Sequence, residues 1–359
     1  MKILLLSNMY PSNAHVFYGV FVRNFCKNME EQGAIVDKVV IRGRGKGWLT
    51  KLAKYIYYYF RCFVKISSGQ YDLIYVHSAS HALLPVTLLW PIITKPVVVN
   101  IHGSDAVSNG ALDSTLFKIN RHTLLRCRLV VFPSFAFMEK VLQTVNLPFP
   151  FVSPSGGIDR SLFHPTSNTY HIKPPMKIGY ISRIDEGKGW DTFIEALSII
   201  KEYNANLDIR AVIVGAGSQV SSMLELINDL GLKDKIQHIN QLPQNRLPDI
   251  YRSINVFVFP SKRESESLGL VGLEAMSCGI PIIASRIGGI TDYLTEGQNG
   301  FFAKPGDPDD LAQSIIKFSA LGISQLELLS KNAVETAKKY DSKENAVKLY
   351  RELEKLCRA

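Results

Sequence analysis

Short, nearly unbroken apolar runs recur along the chain. They lie at Ile3 to Leu6, Ile74 to His77, Val97 to Ile101, Leu129 to Phe132, Lys177 to Ile181, Ile209 to Val214, Val256 to Phe259 and Pro281 to Ala284. Runs of this length without polar alternation are the pattern of strands buried on both faces, as in parallel sheets. Between them lie helical periodicities, such as Val20 to Gln32 closed by Gly33, and Asp191 to Tyr203 with Phe193, Ile194, Leu197 and Ile200 on one side. The alternation predicts an α/β chain of two doubly wound, Rossmann-like parallel sheets. Polar Thr166 to Thr169 and the Pro174-Pro175 pair interrupt the pattern, so the seam is expected within 165–175. That gives a first domain at 1–170 and a second at 171–340. From 341 to 359, Asp341 and Glu344 have capping-box spacing ahead of Ala346, Leu349, Tyr350, Leu353 and Leu356, which predicts a terminal amphipathic helix. Ligands of such sheets lie beyond the carboxyl ends of the strands, so two facing domains are expected to form a cleft.

A chain of 359 residues is longer than one hydrophobic core usually supports, in keeping with two domains. The net charge of +9 is unevenly placed: residues 1–170 hold 18 Lys and Arg against 8 Asp and Glu, and the remainder 23 against 24. The first domain is therefore expected to face something anionic, and the second to hold its ligand by local chemistry. No RNA- or DNA-binding motif accompanies the charge, so no nucleic-acid partner is expected. Five scattered cysteines (26, 62, 127, 278 and 357) have no Cys-x-x-Cys spacing and suggest neither a disulfide framework nor a zinc site, which fits a reducing cytoplasm. The start, Met1 to Leu6, meets polar Ser7-Asn8 too soon for a secretory signal and reads as a first strand. The longest apolar stretch, Ala82 to Ile93, is broken by Pro85 and Pro91 and falls short of the roughly 20 residues a spanning helix needs.

Gly45 to Lys65 contains no acid. At about 100° per residue, Trp48, Leu52, Ile56, Tyr59, Phe60 and Phe63 share one arc, and Lys51, Lys54, Arg61 and Lys65 lie opposite. The stretch is either a core-packed helix with a solvated basic face or an interfacial helix against anionic lipid at the inner face of the cell membrane. In both readings the apolar arc is expected to be buried in the domain and the basic face to look outward.

The chemistry-bearing residues cluster after the strands. Two carboxylates, Glu266 and Glu274, bracket the loop Ser-Leu-Gly-Leu-Val-Gly-Leu, which should turn into a helix. A helix start offers unpaired N–H groups and a positive dipole end, while carboxylates accept from hydroxyls; phosphate plus sugar suits both. Arg183 and Lys188 flank the turn between a strand and a helix, where a planar fork and a point charge can clamp a diphosphate; each alone would pass for a surface charge. Gly215-Ala216-Gly217 lacks the third glycine of a dinucleotide fingerprint, Val220 standing in its place, and reads equally as a packing turn. Gly19 opens the first helix and reads as a phosphate or sugar contact or as a loop glycine. His102, ahead of Gly103-Ser104-Asp105 at a strand end, has a titration range suited to binding a sugar or acceptor hydroxyl, against the plainer reading of a satisfied structural histidine. Asp307-Pro308-Asp309 superficially matches a metal-binding Asp-x-Asp, but with Gly306 before it and Leu311 to Ile316 after it the acids read as helix-capping residues, and no metal site is expected.

Taken together these segments resemble the retaining GT-B glycosyltransferases, the large fourth family that includes many bacterial polysaccharide and lipopolysaccharide mannosyl-, glucosyl- and N-acetylglucosaminyl-transferases. The resemblance runs from about 177 to 307. It rests on Ser182-Arg183 with Lys188-Gly189, the 214–217 loop, Leu242-Pro243, Pro260-Ser261, the Glu266/Glu274 pair, Glu-Ala-Met-x-Cys-Gly-x-Pro at 274–281, Gly288-Gly289 and Asn299-Gly300. It implies that Arg183 and Lys188 hold the donor diphosphate, that Glu274 takes the ribose hydroxyls and that Glu266 contacts the transferred sugar. It further implies that N–H groups around Leu268, Gly269 and Leu270 complete the phosphate cradle, with Asn240 to Leu242 beside the base. His102 would lie near the reacting sugar, Gly19 near the phosphates, and the last helix would cross back to the N-terminal domain. The pattern departs from the family at Ser182, Leu268 and Gly156 to Asp159. What the resemblance implies is transfer of a hexosyl group, with retention, from a UDP- or GDP-linked sugar to a glycan or lipid-linked glycan acceptor in cell-surface polysaccharide synthesis. The nucleotide sugar is a substrate, and no metal or other cofactor is expected. A sugar-nucleotide epimerase of the same architecture and a non-catalytic nucleotide-sugar-binding module are the rival readings.

Overall fold

The computed structural model describes residues 1–358 apart from 16–17, 44, 46, 104–105, 107–110, 167–173 and 205. The chain divides into two compact units, Met1–Gly157 with Ser342–Ala359, and Ile158–Asp341.

The first unit holds β1 (Lys2–Tyr10), β2 (Ile35–Arg42), β3 (Leu73–His77), β4 (Val97–Asn100), β5 (Leu129–Phe132) and β6 (Pro150–Val152), with α1 (Val20–Glu31), α2 (Gly47–Ser68), α3 (Leu84–Leu89), α4 (Ala111–Leu124) and α5 (Phe135–Leu142). The strands form one parallel sheet in the order β2-β1-β3-β4-β5-β6. Side chains of β1 alternate between two cores: Leu4 and Leu6 pack with Tyr58, Cys62 and Ile66 of α2, while Ile3 and Leu5 pack with Val22, Phe25 and Met29 of α1. That second core is completed by Ala346, Leu349 and Leu353 of α12 (Ser342–Arg358), the last helix of the chain.

The second unit holds β7 (Met176–Ile181), β8 (Ile209–Val214), β9 (Ile236–Ile239), β10 (Val256–Phe259), β11 (Ile282–Ser285) and β12 (Gly300–Ala303). Its helices are α6 (Trp190–Tyr203), α7 (Val220–Asp229), α8 (Leu247–Ser253), α9 (Leu270–Ser277), α10 (Pro308–Ser319) and α11 (Ile323–Lys338). The parallel sheet runs β12-β11-β10-β7-β8-β9, so consecutive strands β7, β8 and β9 step one way and β10 returns to the other side of β7. This reversal is the topological switch point, beyond whose strand ends open α/β sheets bind ligands. Asp307 caps α10, its carboxylate accepting from the Asp310 N–H at 3.0 Å.

Two differences from the sequence reading have clear physical causes. The second unit starts at Ile158, ahead of the polar stretch, because Ile158 and Phe163 are fully buried in its core and the Ser277 hydroxyl donates to the Phe163 carbonyl at 2.6 Å. Helix α2 forms where the periodicity put it but turns the other way. Tyr58, Cys62 and Ile66 face the sheet, and the arc expected inside lies outside, with Trp48 72%, Ile56 60%, Phe60 63% and Phe63 53% exposed. Of that arc only Tyr59 packs partly against the core. Lys65 pairs with Asp37 of β2 at 2.7 Å, and Lys54 donates to the Arg42 carbonyl at 2.8 Å. Among the described residues no helix is long and apolar enough to cross a membrane.

Gly189 sets the join between β7 and α6. Its φ is +75°, and a Cβ there would meet the Pro260 carbonyl oxygen at 1.8 Å. Since neither strain nor overlap can relax without moving the β10 loop, Gly189→Ala is expected to cost at least about 2 kcal/mol of stability. Urea unfolding measures it, and a loss below about 0.5 kcal/mol, the usual range of an indifferent surface change, would contradict that packing.

Candidate functional site

Two loops leave the sheet at the switch point, 182–189 after β7 and 260–269 after β10, and charged groups lace them together. The Lys188 ammonium meets Glu266 Oε2 at 2.8 Å, with both side chains largely buried. The same oxygen accepts from the Ser261 hydroxyl at 3.0 Å. The Lys262 N–H donates to the Gly187 carbonyl at 2.8 Å, the Lys262 ammonium meets Asp191, and the Arg263 guanidinium donates to the Glu186 carbonyl. Behind Lys188, the Tyr180 hydroxyl donates to its carbonyl at 3.2 Å. Glu266 is also fixed by its backbone, since its carbonyl accepts from the Gly289 N–H at 3.2 Å. Lys188 and Glu266 are therefore a positioned pair at the mouth of the switch point.

Arg183 stands differently. It pairs with Asp185 and leaves 60% of its side chain exposed. Burial opposes ionisation of the Asp185 carboxyl. The Ser218 N–H at 2.8 Å, the Ser218 hydroxyl at 2.9 Å and the Arg183 charge outweigh that and hold it below the usual carboxylate range. The 215–217 glycines pack against this loop, since a Cβ on Gly215 or Gly217 would meet the Ser182 or Ile184 carbonyl at 1.8 or 2.1 Å. The turn is thus a close-packing device, which accounts for the missing third glycine.

Glu274 lies in α9, a helix with almost no exposed side from Gly272 onward. Its carboxylate accepts from the Tyr251 hydroxyl at 3.1 Å and the Gln244 amide at 3.4 Å. Burial pushes its carboxyl up to about 7, and those two donors only partly offset it. Gln244 follows the 240–242 segment, where Asn240 is exposed and Leu242 half-buried. Leu268 is buried, Gly269 caps α9 with φ +75°, and Leu270 is its first residue, so the helix start lies directly after the Glu266 loop. Nothing in the sequence distinguishes Tyr251 or Gln244; only the fold brings them to Glu274.

In the first unit, His102 follows β4 and meets a partner that sequence reasoning missed. Its Nε2 lies 2.8 Å from Nδ1 of His77, the last residue of β3, and the rings stack 5.0 Å apart. Phe21 covers His102 at 4.3 Å and Phe25 meets the His77 edge at 4.8 Å. A cavity of about 20 Å³, room for about one water, is lined by both imidazoles with Asn100 and Ser153. Burial, then the neighbouring His102, holds the His77 imidazole well below its usual range, so it stays neutral. The one signal for His77 was a polar residue closing an otherwise apolar run. Gly19 caps α1 with φ +72° against the Met9 and Tyr10 backbone. Ser104 and Asp105 lie outside the described residues.

Two six-stranded parallel sheets, each flanked by helices and the second carrying its charged pair at the switch point, define the α/β class known as GT-B. Residues 168–339, nearly all of the second unit, match the family model described as "Glycosyl transferases group 1". The chain is similar to D-inositol 3-phosphate glycosyltransferases, at 30% identity over 44% of this chain for Paenarthrobacter aurescens and 24% over 84% for Thermobifida fusca. The first of these matches spans only 40% of that relative's own length, the second 71%. In fold it is similar to a sucrose-phosphate synthase from Thermosynechococcus elongatus (TM-score 0.81, 19% identity, 98% of this chain and 99% of that one). It is likewise similar to the Anabaena Alr3699/HepE protein, solved in complex with UDP (TM-score 0.79, 21% identity, 99% and 100%).

Because the native state holds the Glu274 proton up to about pH 7 while the unfolded chain releases it near 4.5, the native state binds more protons across that window. Stability is therefore fully present below pH 4.5 and declines as pH rises through 7. Glu274→Gln removes that term and is expected to gain up to roughly 3 kcal/mol relative to the parent between pH 4 and pH 8. Thermal unfolding at both pH values checks it; equal differences at the two would contradict the buried, raised carboxyl.

Proposed function

We propose that the protein is a retaining hexosyltransferase that moves a sugar from a UDP- or GDP-linked donor to a glycan or lipid-linked glycan acceptor in cell-surface polysaccharide synthesis. The observation that carries the reading is the Lys188–Glu266 pair at the switch point of a group 1 glycosyl transferase unit, directly ahead of the α9 start. Lys188 and Arg183 take the donor diphosphate, and N–H groups from Leu268 to Leu270 complete its cradle. Glu274 accepts the ribose hydroxyls, with Asn240 to Leu242 beside the base. Glu266, with one oxygen on Lys188, offers the other to the transferred sugar. In the first unit His102 takes a hydroxyl-binding role and Gly19 a phosphate contact, as the resemblance implies.

The chemistry follows from charge. As the anomeric C–O bond breaks, its electron pair passes to the β-phosphate oxygen and the sugar becomes oxocarbenium-like. Fixed cations and N–H donors stabilise that developing charge more than the ground state, so the reaction needs no metal. The acceptor hydroxyl attacks from the leaving-group face, and the departing phosphate oxygen takes its proton, which retains configuration. The UDP in the Anabaena Alr3699/HepE complex supports trying UDP-hexoses first. The basic first half supports peripheral work on an anionic membrane at its cytoplasmic face.

Lys188→Ala is expected to lower acceptor-dependent nucleotide release about a hundredfold, the usual loss for one electrostatic donor. Near-native turnover in a folded variant would remove the clamp assignment, and release or interconversion without an acceptor would favour the epimerase. A second expectation concerns pH. Ribose hydroxyls donating to Glu274 favour its ionised form, so UDP-hexose affinity should rise as pH climbs from 6 to 8 and protons should be released on binding. Calorimetry in buffers of different ionisation enthalpy reads the proton count, and no release at pH 6 would contradict the ribose role.

A further inference from the structure

Among the described residues of its own unit, nothing covers the exposed face of α2. Trp48, Leu52, Ile56, Tyr57, Phe60 and Phe63 project from one half of its circumference, each about half exposed or more. The face runs the length of a 22-residue helix, roughly 33 Å at 1.5 Å per residue. On α3, which packs against α2, Leu88 is 71% exposed, and Ile92 just beyond it is 55% exposed. Exposed apolar patches of this extent mark a contact surface.

We propose that this face is the membrane-contact element: α2 lies in the plane of an anionic bilayer with its apolar half sunk among the acyl chains and Lys51 and Arg61 at head-group level. Three observations choose the bilayer. The helix carries no acid; Arg61 and Lys51 lie next to the two edges of the apolar half, the arrangement of an interfacial helix, while Lys54 and Lys65, farther round, are held to the Arg42 carbonyl and Asp37 of β2. Trp48 and Tyr57 stand at its two borders, where amphipathic rings favour the interface. The face spans about half the circumference, wider than a coiled-coil seam, and two-fold pairing of two copies would bring like-charged flanks together. The inference rests on the membrane part of the proposed function and is independent of its chemistry.

The test is flotation of the full chain with phosphatidylcholine vesicles, with and without phosphatidylglycerol, joined to quenching of Trp48 fluorescence by brominated lipid in a Trp90→Phe background, with Trp48→Phe/Trp90→Phe subtracting the emission of buried Trp190. The parent should float with anionic vesicles and more weakly with neutral ones, and Trp48 should be quenched. The variant Ile56→Ser/Phe60→Ser/Phe63→Ser touches no core and should keep its melting temperature and its turnover on a water-soluble acceptor, while its partition falls at least about tenfold. A parent that does not float overturns the inference, as does a variant that floats like the parent. Flotation without Trp48 quenching assigns another surface, and a dimer lost only in the variant assigns the face to a second copy; both overturn it too. Donor turnover is measured in parallel, so a floating but inactive protein counts against the transferase reading alone.

Discussion

Everything at the carboxyl edge of the second sheet depends on one ion pair made where the strand order reverses. Lys188 comes from the loop after β7 and Glu266 from the loop after β10, and these two neighbouring strands are where the chain turns from building one half of the sheet to building the other. Loops leaving such a point diverge, which opens space for a ligand and removes the packing that would otherwise hold them. The pair, with Ser261 on the same carboxylate and the Lys262–Asp191 contact beside it, replaces that packing with directional electrostatics. Removing one member would leave the other charge largely buried and uncompensated, so the loops and the pair are held together.

The second carboxylate is tuned in the opposite sense. Glu266 has a cation; Glu274 has the neutral donors Tyr251 and Gln244 and is buried to the point that its carboxyl rises to about 7. Two acids eight positions apart thus occupy environments that favour different protonation states. A site meant to receive hydroxyl and phosphate groups can use both: one carboxylate that keeps a cation in place, and one whose missing hydrogen bonds a ligand could supply.

The fold was largely legible because fully buried strands must be apolar at every position. All eight runs read from the sequence became strands. Of the four that went unread, β2 carries Asp37 and Lys38 at a sheet edge, β6 opens on a proline, β9 is interrupted by Gln237 and His238, and β12 opens on Gly300. Lys188, Glu266 and Glu274 could be singled out because carboxylates and cations beside glycine turns are uncommon company. His77, Gln244 and Tyr251 could not, since each acquires its partner only through tertiary contact. Helix α2 shows the limit most clearly. A helical wheel fixes the angles between residues but not which side meets the sheet, and three residues outside the apolar arc or at its margin, Tyr58, Cys62 and Ile66, fill the core instead.

The central claim is that the Lys188–Glu266 pair and Glu274 receive the two ends of a nucleotide diphosphate. A crystal structure of the protein soaked with UDP-glucose or a GDP-hexose tests it most directly. The account predicts the diphosphate within hydrogen-bonding distance of the Lys188 ammonium and the α9 start, with ribose hydroxyls on the Glu274 carboxylate. A bound nucleotide whose phosphates lie away from Lys188, with Glu274 still bonded only to Tyr251 and Gln244, would contradict it.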